Sequence, residues 1–298
     1  MERSGPPGAG RARSFVGAAR TAHECPQAGG VGRSTVSVIT SRSNPLIREL
    51  RAQLRAPSRQ AERILVEGWR AVETAAAAGA SLDLLVYTPE AAGDPRLAAL
   101  RAVARPRGAR EVVAAPDVYA ALAQVETPQG VIGVARRPSP APPALLAEPD
   151  ALIVVLDAVQ DPGNVGTMVR TAAAAGATAV LTIDGAADPF GPKALRASAG
   201  TAFLVPLRHY GEADAAATEL RERSVRLMIA GPVGGQLAAD ASFARPLAVI
   251  FGNEGAGPQA AWSRAGAETV RLPLAHGVES LNVAAAAAIL LYRASGLI

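Results

Sequence analysis

Apolar and polar residues alternate along the chain in two registers. Between residues 36 and 137 the pattern mixes short apolar runs with helical spacing. Leu46, Ile47, Leu50 and Leu54 recur at three- and four-residue steps, which predicts a helix whose start Ser43 or Asn44 caps, with Pro45 in the first turn. Ile64–Val66 and Leu84–Tyr87 read as strands. Gly68–Ala78 reads as a helix that stops at Gly79. Val112–Val113 and Val131–Val134 are further strand candidates, with a short helix near Asp117–Ala123. From Ala151 onward strand and helix alternate. The predicted strands are Leu152–Leu156, Ala179–Ile183, Ala202–Leu204, Arg226–Ile229, Leu247–Phe251 and Glu268–Leu272. The predicted helices start near Val165 and then run over Lys193–Ala199, Ala213–Arg221, Pro258–Ser263 and Leu281–Ser295. Continuous apolar strands separated by helices predict an α/β fold with a mostly parallel sheet covered on both faces.

These patterns divide the chain. Residues 1–35 are Gly, Pro, Ala and Arg without periodicity and predict a disordered tail. Residues 36–137 predict a small α/β domain. Residues 138–149 carry all five prolines of RRPSPAPPALLAEP and predict a stiff linker. Residues 150–298 form the second domain. TAAAAGA occurs at 74–80 and 171–177, two alanine-rich helix ends stopped by glycine and not a repeat array.

Charge sharpens this division. The net charge of +4 hides an asymmetry: residues 1–149 hold 19 Arg against 13 acids, residues 150–298 hold 11 basic groups against 13 acids. A basic first half favours a polyanion-binding module joined to something else. Arg48, Arg51, Arg55 and Arg59 recur on the side of the first helix opposite its apolar face, and with Arg42 they form a candidate polyanion grip. The single cysteine, Cys25, excludes an internal disulfide framework and a cysteine-rich zinc site. His23, His209 and His276 show no ligand spacing, so no metal is expected. The apolar run Val283–Tyr292 is too short to span a bilayer, and no secretory signal is visible, so a cytoplasmic location is expected.

Three polar loops follow strands of the second domain: DPGNVGTMVR (161–170), GNEGAG (252–257) and PLAHGVESLN (273–282). Ligands of open α/β sheets bind at the carboxyl ends of strands, so the three can converge. The first loop resembles a phosphate turn, yet it has neither GxxxxGK[ST] nor GxGxxG; its glycines are Gly163 and Gly166. Glu254 stands between apolar elements and needs a partner if buried. Ser280 or Asn282 can cap the alanine-rich last helix, which is expected to be deeply buried.

DPGNVGTMVRTAAAAGA, FGNEGAG and LPLAHGVESLNVAAAAAI, in this order, resemble the three motifs of the SpoU (TrmH) family of RNA 2′-O-ribose methyltransferases, within the SPOUT superfamily. Residues 36–137 resemble the substrate-binding domain of its ribosomal-RNA members, a fold similar to ribosomal protein L30e. The resemblance implies a trefoil knot in the C-terminal domain, S-adenosyl-L-methionine as cofactor, and a homodimer built through the knotted domain. It implies catalytic roles for Arg170, Asn164, Glu254, Ser280 and Asn282. It implies cofactor contacts at Gly252, Asn253, Leu272, Pro273, Leu281 and Asn282, and an RNA contact for Arg170. Large-subunit rRNA is the first expected substrate and transfer RNA the second. A non-catalytic RNA-binding member of the fold is one competing reading. The other is a small-molecule enzyme using a nucleotide, with Asp184 as ribose acid, which the glycine pattern disfavours.

Overall fold

The computed structural model describes residues 38–54, 58–231 and 233–298. The expected tail, with His23 and Cys25, lies outside them, as does Arg55. The first sheet contains β1 (Val38–Ile39), β2 (Arg63–Glu67), β3 (Leu82–Tyr87), β4 (Arg110–Ala114) and β5 (Val131–Arg136), in the order β1-β4-β3-β5-β2. β1, β4 and β3 are parallel, while β5 runs antiparallel to both β3 and β2. Four helices cover it: α1 (Pro45–Gln53), α2 (Trp69–Ala77), α3 (Pro95–Ala104) and α4 (Pro116–Ala120). Asn44 caps α1 by accepting from the Leu46 N–H, Pro45 fills its first position, and Ile47 and Leu50 are buried as the spacing predicts. α3 was absent from the sequence reading, because its alanines and arginines mark no clear apolar face.

The second sheet is entirely parallel. Its strands are β6 (Leu152–Leu156), β7 (Ala179–Ile183), β8 (Leu207–Tyr210), β9 (Arg226–Ala230), β10 (Gln236–Leu237), β11 (Leu247–Phe251) and β12 (Glu268–Arg271), in the order β10-β12-β9-β11-β6-β7-β8. The helices are α5 (Pro162–Ala174), α6 (Pro192–Ser198), α7 (Ala213–Glu222), α8 (Ala260–Arg264) and α9 (Val283–Ser295). The central strands β6, β7 and β11 are buried at every position, as expected of a sheet covered on both faces.

Three expectations change. The strand expected at Ala202–Leu204 is a 3₁₀ turn at Thr201–Phe203, and the strand is LRHY, β8. β8 pairs only with β7, so this sheet edge tolerates Arg208 and His209, whose polarity hid the strand. α9 is not buried all round: Ala284, Ala287, Leu290, Leu291 and Ala294 face the core while Ile289 is 43% exposed. The proline-rich segment is packed as well. Ala141 and Leu146 are buried in the second core, and the Ala141 N–H donates to the Leu207 carbonyl.

The two sheets meet along a polar seam. Arg137 pairs with the buried Asp188 at 2.7 Å, donates to the Ala61 carbonyl at 3.1 Å and lies over the Phe190 ring at 4.9 Å. Arg59 is drawn into the same seam and away from the α1 face: it donates to the Ala186 carbonyl and to Thr182 Oγ1. Arg137→Ala removes the guanidinium from the Asp188 carboxylate, which is 8% exposed and keeps the Phe190 N–H as a donor at 3.0 Å. The expected cost is about 2–4 kcal/mol, below the full value for a buried pair because Arg137 keeps some solvent. Chemical denaturation measures it, and a change under about 0.5 kcal/mol counts against a structural role.

Candidate functional site

Loop 1 is not a free glycine turn. Asp161 caps α5 by accepting from the Asn164 N–H at 2.9 Å, and Pro162 fills the first position, so both glycines are helical. Gly166 serves packing: a Cβ there would lie 2.3 Å from the Ala194 carbonyl oxygen, so α5 and α6 touch backbone to backbone. Lys193, at the start of α6, pairs with Asp161 at 2.6 Å. That ammonium, followed by the Asn164 N–H, holds the Asp161 carboxyl below the usual carboxylate range.

Loop 2 is closed from within. Asn253 Oδ1 accepts from the Gly255 and Ala256 N–H groups at 2.9 and 3.0 Å, and its Nδ2 donates to the Ala158 carbonyl at 3.2 Å. Asp157, fully buried at the end of β6, accepts from Gln259 N (2.6 Å), Gln259 Nε2 (2.7 Å) and Trp262 Nε1 (2.9 Å). Three donors repay the cost of burying its carboxylate and tie the end of β6 to the start of α8, just after loop 2. Sequence reasoning passed over Asp157. The signal was an acid closing the otherwise apolar strand LIVVL, where only a complete donor set makes it tolerable.

The three loops are joined by one chain of side chains. Asn282 Oδ1 caps α9 by accepting from the Ala284 and Ala285 N–H groups at 2.9 and 3.2 Å. Its Nδ2 therefore points outward and donates to Asn164 Oδ1 at 3.1 Å. The amide of Asn164 is thereby oriented, and its Nδ2 donates to Glu254 Oε1 at 2.7 Å. The backbone of α9 thus sets the polarity of the whole relay. Asn164→Asp would set carboxylate against carboxylate at Glu254. The expected result is a roughly hundredfold loss of kcat from misplacement of the loops, read by single-turnover assay. Turnover within twofold of wild type would show that the relay is structural decoration.

Arg170 is exposed on α5 and makes no hydrogen bond or ion pair with any described residue. Ser280 is exposed in loop 3 and is not part of the relay. Leu272 precedes the same loop and Pro273 and Leu281 belong to it, and the main-chain groups of Leu272 and Leu281 make no hydrogen bond to another described residue. Arg48 is exposed and Arg51 half-buried on α1, and neither side chain has a partner among the described residues, while Arg42 donates to the Asp117 carbonyl at 3.1 Å. Asp184 pairs with His209 at 3.2 Å, beside the domain seam. The structure thus joins Asn164, Glu254 and Asn282 directly, brings Gly252 and Asn253 to the same edge, and separates Arg59 from Arg48 and Arg51.

Residues 151–292 match the SpoU rRNA methylase family, and residues 44–133 match the MRM3-like substrate-binding domain. The chain belongs to the SpoU family. It is 38% identical over 180 residues to the 23S rRNA (guanosine(2553)-2′-O)-methyltransferase RlmP of Bacillus subtilis, covering 60% of this chain and 70% of that one. It is 32% identical over 266 residues to an uncharacterized tRNA/rRNA methyltransferase of Synechocystis, covering 88% and 94%. The AdoMet-bound rRNA methyltransferase from Sinorhizobium meliloti superposes with a TM-score of 0.76 at 28% identity, covering 88% of this chain and 98% of that one. The relay and the exposed Arg170 sit within the family match. The family match covers the parallel C-terminal sheet, and the substrate-binding match covers the smaller α/β module in front of it.

Proposed function

We propose that this SpoU protein transfers the methyl group of S-adenosylmethionine to a ribose 2′-hydroxyl of large-subunit ribosomal RNA. The observation that carries the reading is the Glu254–Asn164–Asn282 relay, which ties the three family motifs into one site at the carboxyl edge of the parallel sheet. Ribosomal RNA is preferred over transfer RNA because relatives such as the Bacillus protein carry that substrate in their names. The MRM3-like module adds support for a bound RNA substrate.

The cofactor fits the residues present. Free main-chain groups at Leu272 and Leu281, next to apolar side chains, suit the ring edge and face of an adenine, while Gly252, Asn253 and Pro273 line the approach. S-adenosylmethionine supplies an electrophilic methyl group on a sulfonium. The remaining work belongs to the protein. A guanidinium has no lone pair with which to take the hydroxyl proton. Arg170 instead grips the phosphate beside the target ribose and polarises the hydroxyl, and the proton leaves to water or phosphate. Asn164 and Glu254 fix loop 1 against loop 2 so that the in-line approach is pre-formed. Ser280 lies in loop 3 within reach of the same ligand space in this reading.

The reading includes the family's knotted path for the last segment. Its support is the return of residues 273–282 across loop 1, where Asn282 meets Asn164. It also includes a homodimer. Val278, Leu281, Ile289, Leu297 and Ile298 leave an apolar surface along and around α9, at 39–73% exposure, that a second copy would cover. No helix among the described residues is long and apolar enough to cross a membrane, and a cytoplasmic site of action suits an rRNA substrate. Transfer of labelled methyl to rRNA, followed by alkaline hydrolysis, tests the chemistry. Label in alkali-resistant dinucleotides is expected; label in mononucleotides would mean base methylation and overturn the reading.

A further inference from the structure

Most arginines here are already spoken for. Arg63, Arg96, Arg101 and Arg136 are held by Glu49, Glu73, Glu111 and Asp83. The side chains of Arg70, Arg170 and Arg196, like those of Arg48, Arg51, Arg110 and Arg271, make no hydrogen bond or ion pair with any described residue.

α6 lies between the two domains. One flank packs on α5, where positions 163 and 166 come against 193 and 194/197. The contacts climb both helices together, so α5 and α6 run parallel, and Arg170, one turn beyond Gly166, continues up that junction. The other flank of α6 meets β2 and α2. Beyond it, a Cβ on Gly200 would lie 2.5 Å from the Ala71 carbonyl oxygen, so this turn touches α2 directly. Lys193 stays at the α5 flank, paired with Asp161, and Arg196, three residues on, lies toward the β2 flank near Glu67. Lys193 is exposed and Arg196 half-buried. Arg70 is exposed in the first turn of α2, across the seam. Glu67, at the end of β2, senses the Arg196 charge, yet its own Oε1 is buried without a partner.

We propose that the outer face of α6 is a saddle for the RNA backbone, with Arg196 and Arg70 each taking a phosphate between the N-terminal domain and Arg170. A half-buried guanidinium without an acceptor is a poor resting arrangement, and a phosphate oxygen pair matches its fork. Lys193 is neutralised by Asp161 and contributes less. The saddle joins the substrate-binding module to the transfer site along one strip, which the face built from Arg48 and Arg51 does not. The proposal rests on the RNA-methylation reading.

The test is equilibrium binding of a 23S rRNA transcript at several salt concentrations, with the full chain and without turnover. Arg196→Gln and Arg70→Gln are expected to weaken binding roughly fivefold or more and to flatten the log–log salt slope by about one each. Arg196→Lys should keep the slope. Arg264→Gln, which breaks an exposed pair with Asp214 on the far helices, should leave both quantities as in wild type. Thermal melting and S-adenosylmethionine affinity should match wild type in every variant, which separates lost RNA contact from misfolding. Unchanged affinity and slope in both Arg196→Gln and Arg70→Gln would overturn the saddle. The methylation reading fails on a different result, absence of 2′-O-methyl from a transcript that the wild type binds.

Discussion

Arg170→Ala is expected to lower single-turnover methyl transfer by roughly 10²–10³-fold, the scale seen when one charge-stabilising donor is removed from a reaction centre. The side chain is exposed and engages no described residue, so its removal costs no internal contact and the fold should melt as in wild type. S-adenosylmethionine affinity, measured by calorimetry, should be unchanged, because the groups proposed to hold the cofactor lie on loops 2 and 3. Arg170→Lys keeps the charge but loses the planar fork, so it should recover only a small part of the rate. A variant that loses cofactor affinity would move Arg170 from the transfer step to the cofactor site. A variant that turns over normally would leave the reaction without a phosphate grip.

Much of the second sheet was legible because its strands obey a simple rule. β6 and β11 are short, wholly apolar runs, β7 breaks its run only at Thr182, and all three begin and end where the sequence places them. What escaped was decided by neighbours. LRHY forms a strand because the exposed edge of β7 offers a ladder, not because its residues ask for one. Ala-rich α9 has one apolar face in the core and another outward, a distinction that composition cannot make. The convergence of the three loops followed from strand polarity. The relay joining them did not, because it depends on which way two amides point. Asn282 resolves this by capping α9, and only the fold brings positions 118 residues apart within 3.1 Å. Arg59 illustrates the reverse error. Its helical spacing matches Arg48 and Arg51, but the chain leaves α1 before reaching it, and the guanidinium turns to the Ala186 carbonyl.

Gly252→Ala is the second large expectation. Gly252 follows β11, and a Cβ there would lie 2.1 Å from Pro258 N and 2.3 Å from the Gly257 carbonyl carbon. Both are backbone atoms, so no side-chain rotation relieves the clash. The turn cannot open easily either. Asn253 closes it onto Gly255 and Ala256, and the buried Asp157 anchors Gln259 just beyond it. The methyl group must therefore break the Asp157 contacts or push Gly252 out of line with Leu272 on the cofactor approach. The expected outcome is a stability loss of about 3 kcal/mol, from overpacking plus disturbance of a buried carboxylate. With it should go a roughly hundredfold or greater loss of S-adenosylmethionine affinity, equivalent to about 2.7 kcal/mol. Gly255→Ala in the same loop is the matched control. Its Cβ would meet only Asn253 Oδ1 at 3.5 Å, an ordinary contact, and both quantities should stay near wild type. If Gly252→Ala bound the cofactor as tightly as Gly255→Ala, the close approach of loop 2 would be a requirement of folding alone. If both variants lost affinity, the loop as a whole would have to move during binding, and the pre-formed site argued from the relay would be wrong.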